Sequence, residues 1–158
     1  MRGVTVFSFL TLVVSGFWGC TPQRQAAGPA AEPAPAATGV QQPPPSIWEG
    51  VFSQAQARRG EEGYRSRCAG CHGPELVAKG YAVNLTGPAF TFGWQRKTIA
   101  NRFLIIRETM PPNNLTLSGQ EYVDIVSYIL EFNGYPAGEQ ELEPDLAQLA
   151  RIVIEPAP

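Results

Sequence analysis

The sequence predicts an all-α domain, and two kinds of observation carry this. Ser53-Gln54-Ala55-Gln56 and Ser118-Gly119-Gln120-Glu121 have the S-x-x-Q and S-x-x-E form of helix-opening capping boxes. Apolar residues then recur at helical spacing. Ile99, Phe103 and Ile106 share one stripe, and Tyr122, Ile125, Ile129 and Phe132 share another. The chain has 158 residues, room for one modest domain, and a formal net charge of -2, which leaves no basic footprint for nucleic acid.

The elements follow in order. Residues 1–20 have the form of a secretory signal: Arg2, a short apolar run from Val4 to Val14, then small residues before Cys20. That run is too short to span a bilayer, which takes about 20 apolar residues. Gly19-Cys20 resembles the lipobox of bacterial lipoproteins, which implies a lipid on Cys20 and a membrane anchor. Phe17 and Trp18 depart from the usual lipobox residues. Ordinary cleavage nearby or an uncleaved anchor are the other readings, and all three put the domain outside the cytoplasm. Residues 21–46 are rich in Pro, Ala, Gln and Gly and close on Pro43-Pro44-Pro45. Such a composition cannot bury enough surface to fold, so a disordered, extended tether is expected.

The domain proper should occupy residues 47–134. Its first helix runs from Ser53 to about Cys68 and ends on Cys68-Ala69-Gly70-Cys71-His72. This C-x-x-C-H pattern is the signature of covalent c-type haem attachment. Residues three apart on a helix share a face, so Cys68 and Cys71 can both reach the vinyl groups on one porphyrin edge. His72 is then carried beneath the ring, where an imidazole nitrogen can bind iron. His72 is the only histidine, and Met110 the only methionine besides the initiator. If iron takes the usual His and Met, the pair is forced. Zinc would need four ligands, and beyond Cys20 only Cys68, Cys71 and His72 come from the Cys/His set. A thioredoxin-like pair would need a βαβ pattern, and the flanks read as helices.

The motif and the methionine resemble those of a class I c-type cytochrome, over roughly residues 50–133. The resemblance implies the cytochrome c fold, a small helical bundle wrapped around one covalently attached haem c. It implies that Gly60 and Tyr64 cross closely against an aromatic of the C-terminal helix, here Tyr128. It implies that the Pro88 carbonyl, in Leu85-Thr86-Gly87-Pro88, accepts the hydrogen bond of the ligating imidazole; a plain turn proline is the other reading. Trp94 would set its indole N–H near a haem propionate, or else be a core aromatic. Met110-Pro111, 38 positions after His72, resembles the axial M-P of the family. Between the motif and these residues, Glu75 to Phe92 reads as a loop over one haem face.

A helix from Thr98 to Glu108 must stop before Met110, because a residue preceding proline is pushed away from helical angles. The last helix opens at Ser118 and stops at Asn133-Gly134. Residues 135–158 carry one Arg and five acids, net −4, against net +1 for residues 47–134. A solvated acidic tail or a docking surface are the two readings, and Leu146, Leu149, Ile152 and Ile154 could pack back on the domain.

Functionally, His–Met ligation closes both axial sites and suits electron transfer rather than catalysis. The expected partners are redox proteins, a dehydrogenase, reductase or oxidase, on the outer side of the bacterial inner membrane, where haem is attached to such cytochromes. The alternative is a haem electron-acceptor subunit of a periplasmic dehydrogenase or oxidase complex. Ile47-Trp48-Glu49-Gly50-Val51 and Gly134-Tyr135-Pro136-Ala137-Gly138 resemble domains associated with quinoprotein dehydrogenases. Easy loss of Met110 from iron would instead point to gas or peroxide chemistry.

Overall fold

Ser53 and Ser118 open the two longest helices of the computed structural model, which describes residues 43, 45–112 and 117–158. The signal segment, Cys20 and most of the proline-rich tether lie outside the described residues. A 3-10 turn, Ile47–Glu49, precedes α1 (Gln54–Arg67), α2 (Ala69–His72), α3 (Gly87–Trp94), α4 (Ile99–Thr109), α5 (Gly119–Phe132) and α6 (Leu146–Leu149). Among the described residues, strand pairing is limited to two isolated bridges, Ser53 with Gly138 and Thr98 with Val153. The domain is all-α, as expected. No helix among the described residues is long and apolar enough to cross a membrane.

The two capping boxes form to different degrees. At α5 both halves are present: Ser118 Oγ accepts from Glu121 N at 3.2 Å, and Ser118 N donates to Glu121 Oε2 at 2.8 Å. At α1, Ser53 Oγ accepts from Gln56 N at 3.0 Å, but the Gln56 side chain does not turn back. It is fully buried instead. Its Nε2 donates to Asp124 Oδ1 at 3.0 Å and to the Leu142 carbonyl at 2.8 Å, while its Oε1 accepts from Leu142 N at 2.8 Å. A buried amide must find partners inside the protein, and here they come from α5 and the C-terminal segment.

Helix α5 is the centre of the fold. Every residue from Tyr122 to Leu130 is buried, so it is enclosed on all sides rather than along one stripe. Helix α1 crosses it at Gly60. A Cβ there would stand 1.8 Å from the Asp124 carbonyl oxygen, so the crossing admits no side chain at all. One turn on, the Tyr64 and Tyr128 rings lie 5.3 Å apart, which fills the space the backbones leave. Arg59 closes the edge of the contact, with Nε 3.0 Å from Asp124 and a terminal nitrogen 2.7 Å from Glu141.

Two expectations are corrected here. The segment from Glu75 to Phe92 is not all loop, because α3 begins at Gly87. Proline is well suited to the first turn of a helix, where its missing N–H costs nothing. Pro88 occupies that turn, and α3 buries Phe90 and Trp94. The acidic C-terminal segment is not merely solvated either. Leu142, Leu149, Ile152 and Ile154 are buried, though Leu146 stays exposed. The segment runs back along the start of α4: Ile99 N donates to Ile152 O at 2.9 Å, Ile154 N to Lys97 O at 2.8 Å, and Arg96 N to Ile154 O at 2.7 Å. It also fastens the beginning of the domain, where Trp48 Nε1 donates to Pro156 O at 3.1 Å and Ser46 Oγ to Glu155 at 2.7 Å.

Candidate haem-binding site

The C-x-x-C-H motif sits on a break between two helices. Cys68 ends α1, with its N–H on Tyr64 O at 2.8 Å, and it also caps α2. Cys71 N and His72 N both bond back to Cys68 O, at 3.1 and 3.0 Å. Gly73 then turns the chain at φ 75°, where a Cβ would stand 2.0 Å from Val77 O. The Tyr64 hydroxyl donates to the Gly73 carbonyl at 2.7 Å, tying the turn to α1. Burial holds that phenol well above its ordinary pKa. Burial likewise pushes the Cys68 thiol up to about 11, so it stays protonated at neutral pH, while Cys71 is exposed.

His72 is buried. Its Nδ1 lies 2.8 Å from the Val83 carbonyl oxygen. A carbonyl only accepts, so Nδ1 carries the proton, which leaves Nε2 of the neutral ring as the nitrogen a metal would take. The resemblance had implied Pro88 in this role. In the structure the oxygen at hydrogen-bond distance from Nδ1 is that of Val83, and Pro88 lies in the first turn of α3.

These residues open onto a cleft of about 150 Å³, partly open to solvent. Cys68, Cys71 and His72 line it together with Met110 and its two prolines. Trp94, Ile106, Ile125 and Ile129 add apolar wall. Met110 is the C-cap of α4, in extended conformation (φ −132°, ψ 142°), as a residue before proline should be. Its N–H bonds to Ile106 O at 2.8 Å, and its carbonyl accepts from the Tyr122 hydroxyl at 3.2 Å. Met110 remains 38% exposed and Ile105 on the same rim 41% exposed. Large apolar side chains left uncovered around a concave surface mark a binding site. The lining therefore fits a flat, mostly apolar group that thiols and an imidazole can hold.

Sequence reasoning missed three contributors. Val83 acts through its backbone, which no residue type announces. Tyr122 was assigned only to an apolar stripe. Arg102 lies off the apolar stripe of Ile99, Phe103 and Ile106 in the sequence, yet it lines the cleft, where desolvation pulls its pKa below the ordinary arginine value. Its Nε donates to Asn101 Oδ1 at 3.1 Å, and a second guanidinium nitrogen bonds the same oxygen.

A helical domain with this motif beside such a cleft is a class I c-type cytochrome domain. Residues 55–129 match the family model described as cytochrome c oxidase, cbb3-type, subunit III. The match runs from the first turn of α1 into the last turns of α5, so it covers the motif and the methionine and leaves out the C-terminal segment. No curated protein and no solved structure matches the chain. The domain's cofactor class is haem c and its chemistry is haem-based electron transfer.

Proposed function

We propose that the protein carries single electrons between redox partners on the outer side of the bacterial inner membrane, through one haem c ligated by His72 and Met110. The observation that carries this reading is His72 itself, held through Nδ1 by the Val83 carbonyl, on a cleft that the only methionine of the domain also lines. When bound, haem supplies a one-electron ferric–ferrous couple. The chain's part is to anchor, ligate and shield. Cys68 and Cys71 would hold the group through two thioethers. Tyr122 steadies the Met110 backbone, from which the side chain would serve as a ligand. Arg102 offers a half-buried cation, and Trp94 an indole N–H, to the haem propionates. The signal segment would export the chain, and a lipid on Cys20 would anchor it. The tether would give the domain reach.

A second reading, an electron-accepting subunit of an oxidase or a periplasmic dehydrogenase, is favoured by the description of the matching family model. The 47–51 and 134–138 segments support the dehydrogenase form. They pack on each other, with Trp48 and Tyr135 rings 4.6 Å apart and Gly138 so close that a Cβ there would stand 2.1 Å from Gly50 O.

The test is the visible spectrum of exported protein and of Met110→Ala. The parent should give low-spin ferric and ferrous spectra. Met110→Ala should keep its haem, lose the low-spin features and bind carbon monoxide readily when reduced. Unchanged spectra in the variant would remove Met110 from the iron. Co-purification with a catalytic partner at fixed ratio would favour the subunit reading.

A further inference from the structure

The Val83 carbonyl belongs to a stretch without regular structure, residues 73–86, between α2 and α3. Val83 is itself 65% exposed, so core packing does not hold it. Hydrogen bonds give the stretch its shape. Lys79 N donates to Cys71 O at 3.2 Å, and Leu85 N to Leu76 O at 2.9 Å. These are backbone bonds that many sequences could make. Side chains hold its two ends, the Tyr64 hydroxyl on Gly73 O at 2.7 Å and Asn133 Nδ2 on Leu85 O at 2.9 Å, and between them Ala78 N donates to Asn84 Oδ1 at 2.8 Å. This closes the turn from Ala78 to Asn84, and Val83 is the residue next to the clasp.

We infer that Asn84 is a positioning residue for His72: by locking Oδ1 on the Ala78 amide it fixes the Val83 carbonyl against His72 Nδ1. The inference rests on the reading of His72 as the iron ligand. A short N–H···O=C bond raises the basicity of a ligating imidazole, and a more basic ligand favours ferric over ferrous iron. Hydrogen bonds weaken steeply as angle and distance degrade. Without the clasp the carbonyl can drift, the ligand becomes less basic and the ferrous form gains. Asn84 is exposed, so shortening it opens no cavity in the core.

The experiment compares full-length, haem-loaded parent, Asn84→Ala and Asn84→Asp by redox titration. Asn84→Ala should shift the ferrous-to-ferric ratio at fixed solution potential about threefold toward ferrous, about 30 mV for a one-electron couple at 59 mV per tenfold. Asn84→Asp keeps an oxygen for the Ala78 amide and adds a negative charge, so its potential should stay at or below the parent's. In the reduced proteins, solvent exchange of the His72 Nδ1 proton should quicken in Asn84→Ala alone. A parental potential and exchange rate in Asn84→Ala overturn the inference, and so does an equal upward shift in both variants. If the parent itself carries no haem, the ligand reading falls and the inference with it, a failure distinct from an unmoved potential.

Discussion

The α1–α5 crossing and the haem cleft lie on the same two helices, yet they solve opposite problems. At the crossing every group finds its partner within the chain. Gly60 lets the backbones meet, Gln56 spends its amide on Asp124 and Leu142, and Arg59 spans two carboxylates. No buried side-chain nitrogen or oxygen among the described residues lacks a partner. At the cleft, apolar side chains are left facing out. Val83, Ile105 and Met110 are exposed where a folded chain would ordinarily cover them. The crossing is a scaffold complete in itself, and the cleft is a surface shaped for something the chain does not encode.

That contrast can be broken by mutation. Gly60→Ala should have the largest effect on stability. The added methyl must push α5 away at the Asp124 carbonyl, and overpacking of this kind costs about 3 kcal/mol. Chemical denaturation should show the loss whether or not haem is present, and a parental midpoint would mean that the helices do not meet there. Met110→Ala, by contrast, should change the fold's stability in the haem-free protein by about 1 kcal/mol or less, since its side chain is partly exposed there. Its effect belongs to the loaded state. A haem-free protein unfolded by this change would show that Met110 is part of the scaffold.

The smallest expected effect is on pH dependence. Hydrogen bonds from Ser118 hold Glu121 below its ordinary pKa, and those from Arg59, then Ser53, do the same for Glu141. A depressed folded-state pKa means that the folded chain binds fewer protons than the unfolded one. The stabilisation is therefore full above the ordinary glutamate value of about 4.3. It is lost as pH falls through the depressed values. Both groups are solvent-accessible, so the loss should be modest and shrink in high salt. Acid titration of the denaturation midpoint checks this, and a midpoint that rises on acidification would contradict it.

What the sequence made legible follows the same division. Ser53, Ser118 and Asn133-Gly134 mark helix ends because capping chemistry is local, and Met110-Pro111 marks another because proline restricts its neighbour. The motif residues are likewise legible, since thiol and imidazole chemistry demands those types at that spacing. Val83 was hidden, because a backbone carbonyl carries no side-chain signature. Arg102 was hidden because a charged residue off an apolar stripe reads as solvent-facing. The C-terminal segment was only half visible: its five acids read as solvated, while Leu149, Ile152 and Ile154 supply the burial. Pro88 shows the limit of resemblance. The residue type matched, but it lies in the first turn of α3, and the oxygen at hydrogen-bond distance from His72 Nδ1 is that of Val83.

The central claim is that the cleft holds one haem fixed to Cys68 and Cys71. Its most direct test is the mass of exported protein after denaturation. The account predicts the mature polypeptide plus one haem, retained in denaturant, with Cys68→Ala and Cys71→Ala each losing one thioether. A polypeptide mass without haem, or a haem that denaturant strips away, would contradict it.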